Sequence, residues 1–188
     1  MALRCLLLLL LALPLGQAAE KTGAVVTVHP LATKAAEQAF KQGGNAVDAT
    51  VAAALTLGVV DGFNSGIGGG CFMLIRKPDG TFVAIDGRET APQKASRDMF
   101  LHDGKADPGL SRTGALAIGV PGALAAYDLA IREHGNIDLA EHLGQAAAIA
   151  EKGFALDKAY LRRLGQAVKK LRQFPDSARI FLGPDGNA

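Results

Sequence analysis

From Gly23 onward the apolar residues follow two rhythms, short β-branched runs and stretches at helical spacing. Gly23 to Val28 (Gly-Ala-Val-Val-Thr-Val) reads as a strand that His29-Pro30 ends. Leu31 to Gln42 reads as a helix with Gly43 just past its end. Asn45 opens a second helix as N-cap, with Asp48 three residues on, where a carboxylate suits the positive helix end. That helix runs to about Leu57 and is apolar on nearly every face, which predicts burial. Asp61 to Gly70 is a glycine-rich loop. Cys71 to Arg76 and Thr81 to Asp86 form a hairpin around Lys77-Pro78-Asp79-Gly80 and deliver Gly87-Arg88-Glu89 to its end.

Further on, Ala115 to Val120 reads as a strand, and Pro121 as the first residue of a helix that runs to His134 with Gly135 as its stop. Asp138 and Glu141 suggest an acidic capping box for a helix to Lys152, stopped by Gly153. Asp157 to Leu171 is amphipathic, with Leu161, Leu164, Val168 and Leu171 at helical spacing. The tail from Phe174 onward ends in turn chemistry, Gly183-Pro184-Asp185-Gly186. The pattern is mixed α/β, with too few strands to close a conventional sheet alone.

The first residues read as an export address. Arg4 precedes the apolar run Leu6 to Leu13, Pro14 interrupts it, and Gly16-Gln17-Ala18 supplies small residues for a peptidase. A bilayer span needs about 20 apolar residues, so a signal peptide over residues 1–18, cleaved near Ala18, is expected rather than a membrane anchor. The remaining chain, residues 19–188, then keeps one thiol, Cys71, and no intramolecular disulfide. Export without a disulfide suits the bacterial periplasm, or secretion.

Composition narrows the function. The 188 residues carry 20 Lys+Arg against 18 Asp+Glu, so no basic surplus exists to neutralise nucleic-acid phosphates. Half the chain is apolar (49%), enough for one core and too much for disorder. Gly66-Ile67-Gly68-Gly69-Gly70 lacks the third glycine of a dinucleotide fingerprint, because Cys71 stands there and a strand follows. The glycines therefore read as a loop where backbone lies close to a neighbour. His29, His102, His134 and His142 show no metal-ligand spacing and read mostly as loop and helix-end residues. Cys71 reads as a small buried hydrophobe. Arg88 stands where a strand emerges into a loop, so its guanidinium suits either a carboxylate ligand or a surface ion pair with Asp86 or Glu89. If the strand continued through them, Arg88 and Glu89 would point to opposite sides.

Five stretches, in order, resemble the γ-glutamyltransferase (glutathione hydrolase) family. They are Gly43 to Ala49, Ser65 to Phe72, Asp86 to Pro92, Val120-Pro121-Gly122 and Ala150 to Phe154. The likeness runs from about Thr22 onward and matches the first part of that family's large subunit. It implies a partial, truncated N-terminal-nucleophile hydrolase αββα sandwich. It also implies a precursor that cuts itself into two subunits, so the small subunit of the same precursor is a partner. The implied reaction is attack on the γ-glutamyl amide of glutathione and related small molecules, with transfer to water, amino acids or peptides. No metal or organic cofactor is implied. In the family, the arginine of the Asp-x-Arg-Glu-x-Ala-Pro motif binds the substrate α-carboxylate, which falls on Arg88 here; no role is carried to Glu89.

The threonine nucleophile implied by the family lies beyond residue 188, so no catalytic residue is expected within the chain. The 188 residues are expected to be a fragment that is inactive alone. Two other readings stay open: an acylase of the same fold acting on a glutaryl-type amide, and a non-catalytic binding module.

Overall fold

The computed structural model describes residues 23–188, so the expected export signal over residues 1–18 lies outside the described residues. Helix α1 (Pro30–Lys41) starts where the sequence places a proline in its first turn, and the His29 imidazole Nδ1 accepts from the Leu31 N–H at 3.2 Å. Helix α2 (Ala46–Val60) begins at the Asn45 cap. The Asn45 Oδ1 accepts from the Val47 and Asp48 amides, and the Asp48 carboxylate accepts from the Asn45 N–H at 2.7 Å. The Asn45 cap is the one the sequence predicts, and the Asp48 carboxylate adds a reciprocal bond that completes a capping box. Ala32, Ala35, Ala36 and Ala39 of α1 meet Ala49, Ala52 and Ala53 of α2, and the small side chains let the two backbones lie close.

The other side of α2 makes the main core. Val47, Val51 and Leu55 pack with Met73 and Ile85 of the hairpin and with Tyr127 and Ile131 of helix α3 (Ala123–His134). Burying a side chain such as Leu55 stabilises by about 1.5–3 kcal/mol. Strands β1 (Cys71–Arg76) and β2 (Phe82–Gly87) pair antiparallel, with Cys71 opposite Gly87 and Arg76 opposite Phe82. Among the described residues the only other ladder is the two-residue pair β3 (Leu101–His102) and β4 (Lys105–Ala106). Helix α4 (Leu139–Lys152) closes the core beside α2, and Gly153 stops it with φ of 77°. Helices α5 (Lys158–Leu171) and α6 (Pro175–Phe181) follow and pack mainly on each other. No helix among the described residues is long and apolar enough to cross a membrane.

Several local expectations change. Gly23 to Val28 forms no strand and joins no ladder among the described residues, and Val26 stands 97% exposed. Ala115–Ala117 is a turn of 3-10 helix, and only Val120 pairs, in an isolated antiparallel bridge with Thr90. Pro121 precedes the helix rather than opening it, because the Gly122 and Ala123 amides donate to Gly69 O and so tie the entry to the glycine loop. Asp138 is an N-cap whose side chain makes no cap hydrogen bond, so the acidic box is absent. The tail, read as turn chemistry, holds α6 over Pro175–Phe181.

Candidate functional site

The site grows from the end of the hairpin. β2 stops at Gly87, and the Asp86 Oδ1 accepts from the Arg88 N–H at 3.0 Å, which bends the chain out of the ladder. Gly87 and Gly122 touch at backbone level: a Cβ on Gly122 would lie 2.5 Å from the Gly87 carbonyl oxygen. Thr90 and Val120 then exchange backbone hydrogen bonds of 3.1 and 2.8 Å. Arg88 and Glu89 are therefore pinned between the glycine loop on one side and the entry to α3 on the other.

Because the ladder ends before them, Arg88 and Glu89 do not diverge as a continued strand would require. Both line one groove of about 920 Å³, with the C-terminal part of α2, the Gly66–Gly70 loop, Cys71 and Tyr127. The Arg88 side chain is 61% exposed, with its Nη1 3.5 Å from Glu89 Oε2 and its guanidinium carbon 5.9 Å from the Phe72 ring centroid. The surface ion pair with Glu89, one of the two sequence readings, therefore forms, and it leaves most guanidinium N–H groups free. Glu89 Oε2 is shielded from solvent without a hydrogen-bond partner. It lies where only glycine fits: a Cβ on Gly70 would sit 2.7 Å from it. This is the close backbone approach that the glycine run implied.

Cys71 is half-buried beside this carboxylate. Burial pushes its thiol pKa up, and the Glu89 charge pushes it further the same way. Burial likewise raises the Tyr127 phenol, with a smaller push from Cys71. Both groups stay neutral at ordinary pH, so the groove's charge comes from Arg88 and Glu89. The guanidinium N–H groups that Glu89 leaves free can receive an anionic ligand.

Sequence reasoning missed the far wall. Phe63, Tyr160 and Phe181 line the groove at its other lining elements, and Phe63 and Tyr160 meet edge to face at 5.4 Å and 86°. No spacing in the sequence joins these three positions, since they come from a loop and two separate helices. Nor did the sequence show that His142, inside α4, is buried with Nε2 3.5 Å from Asp48 Oδ1. Asp48 accepts there from the Asn136 and Ile137 amides as well, so this buried carboxylate anchors α2 to the turn between α3 and α4. That cluster holds the frame of the site and does not line the groove.

Comparison with known proteins places this geometry. The profile of the family described as Gamma-glutamyltranspeptidase matches residues 32–188. A glutathione hydrolase proenzyme of Escherichia coli K12 is 44% identical over 140 residues, which cover 74% of this chain and 24% of that protein. Acylase ACY 1 proenzyme of a Pseudomonas species (strain V22) is 43% identical over 167 residues, 85% of this chain and 30% of that one. The crystal structure of the Helicobacter pylori γ-glutamyltranspeptidase superposes with a TM-score of 0.85 at 35% identity, covering 89% of this chain and 48% of that chain. The chain spans about a quarter of the length of the first curated relatives it matches. The architecture is accordingly part of an N-terminal-nucleophile hydrolase fold, and the chain belongs to the γ-glutamyltranspeptidase family.

Proposed function

We propose that this chain supplies the donor-recognition part of an exported γ-glutamyl hydrolase and transferase that acts on glutathione and related γ-glutamyl amides. The observation that carries the reading is Arg88, an accessible guanidinium fixed at the rim of the groove. A γ-glutamyl donor presents an α-carboxylate, and Arg88 would hold it through two parallel N–H donors. Glu89 occupies one edge of the guanidinium and so orients the rest toward the groove. The nucleophile would be a threonine outside this chain, heading a small subunit cut from the same precursor. It attacks the γ-carbonyl, the amine leaves, and water or an amino acid takes the γ-glutamyl group from the acyl-enzyme. In this reading the 188 residues alone turn nothing over.

The test is Arg88→Ala in the processed two-subunit enzyme. Losing hydrogen bonds to a charged group costs about 1.5–3 kcal/mol, so KM for a γ-glutamyl anilide should rise at least about tenfold while self-cleavage proceeds. An unchanged KM rules out the clamp. A relative described as an acylase proenzyme keeps a second reading in play, hydrolysis of another side-chain amide by the same fold, for which a glutaryl-type amide is the test case. Such an acyl chain lacks the α-amino group but can carry a terminal carboxylate, so Arg88 would serve it equally. Parallel assays with γ-glutamyl and glutaryl anilides separate the two.

A further inference from the structure

The aromatic wall opens into a second space. A side pocket of about 140 Å³ shares Gly62, Phe63, Tyr160 and Phe181 with the groove, and Arg163 and Leu164 of α5 close it. Phe63 and Phe181 remain 37% and 46% exposed there, so the wall offers ring surface to a ligand. The chain has only two tyrosines, Tyr127 and Tyr160, and both line the groove. Arg163 makes no ion pair among the described residues. It belongs to a stretch, Lys158 to Arg172, with six cations and no anion. The space therefore combines two chemistries: rings that take another ring edge to face, and an uncompensated guanidinium beside them.

We propose that this side pocket binds the amide side of the substrate and favours γ-glutamyl dipeptides whose second residue is aromatic and ends in a free carboxylate. The inference rests on the γ-glutamyl reading above. Such a dipeptide carries a carboxylate at each end, and the groove and its side pocket offer a separate guanidinium to each, Arg88 and Arg163. The aromatic side chain lies against Phe63, Tyr160 and Phe181. The groove alone, at about 920 Å³, has room well beyond a glutamyl group, so the donor's second residue can extend toward the wall.

The test compares kcat/KM of the processed enzyme for γ-glutamyl-phenylalanine, its C-terminal amide and γ-glutamyl-glycine. The aromatic dipeptide should exceed the glycine one about tenfold, in the range a filled apolar subsite gives. It should also exceed its own amide, and that ratio should collapse toward one in Arg163→Gln. Phe181→Ala should collapse the ratio of phenylalanine to glycine substrates. Both side chains are exposed or half-exposed, so these variants should fold. Equal values for all three peptides, as when another subunit covers the wall, overturn the subsite and leave the γ-glutamyl activity standing. Unchanged ratios in both variants do the same. No turnover of any γ-glutamyl amide overturns both readings.

Discussion

Gly70 fixes more of the site than its missing side chain suggests. A Cβ there would lie 2.7 Å from both Glu89 Oε2 and Gly87 O, and 2.9 Å from Arg88 Cα. Two of these are backbone atoms of the hairpin end and cannot turn aside. Gly70→Ala should therefore cost about 1–3 kcal/mol in stability, read as a lowered Tm, and should displace Arg88 enough to weaken donor binding. A variant with parental Tm and KM would mean the loop yields freely. Cys71 reports on the same carboxylate. Burial and the Glu89 charge both disfavour its thiolate, so alkylation by iodoacetamide should have a pH midpoint above that of a free thiol. Removing the charge in Glu89→Gln should lower the midpoint, and at a pH between the two midpoints the variant reacts faster. A midpoint that does not move would assign the whole effect to burial.

Asp48 acts at the scale of whole elements. Its two oxygens take the N–H groups of Asn45, Asn136 and Ile137, joining the start of α2 to the turn before α4. Asp48→Asn replaces one acceptor by a donor that faces other donors, which should cost about 1–3 kcal/mol for the orphaned buried amides. Urea unfolding checks this, and an unchanged midpoint would show that water or His142 takes over. Only half of this anchor was legible in the sequence. The Asn45 cap and the Asp48 charge at the helix start are local, so spacing revealed them. The reach to Asn136 and His142 depends on tertiary packing, which no periodicity records. The same division explains the other elements. α1, α2 and the β1–β2 hairpin carry caps, a turn and a period within a few residues of each other. Gly23 to Val28 has strand composition, but a strand is defined by a partner, and none pairs with it among the described residues. Ala115 to Val120 reads the same way and is held by the single bridge to Thr90. In the tail, Pro175 and Asp176 at the start of a helix were available as signals and were outweighed by the glycines downstream. At the groove, the place of Arg88 just past the hairpin was legible because one contiguous stretch carries it, whereas Tyr127, Tyr160 and Phe181 come together only through the fold.

Across the whole molecule, apolar surface is unevenly placed. Phe72, Leu74 and Phe82 stand 72%, 70% and 62% exposed on the hairpin face turned from the core, and Val26 and Val28 add to the open apolar area. Patches of this kind drive association. The 188-residue chain in isolation should therefore self-associate at micromolar concentration, seen by light scattering. Leu74→Lys with Phe82→Glu should restore a monomer without lowering Tm, since neither side chain fills the core. A monomeric parent chain would show that the face is tolerated in water. The distribution of rigidity has a further outcome. Arg88 is seated where the hairpin, the glycine loop and α3 meet, while α5 and α6 lean chiefly on one another, with Tyr160 of α5 meeting Phe63 and Phe154. In the proposed reading, head-group capture and preference for the remainder of the ligand fall on separate pieces of scaffold. Exchanging the two-helix cassette from Asp157 onward among relatives offers a way to retune which amides are accepted without disturbing how their common acyl end is gripped.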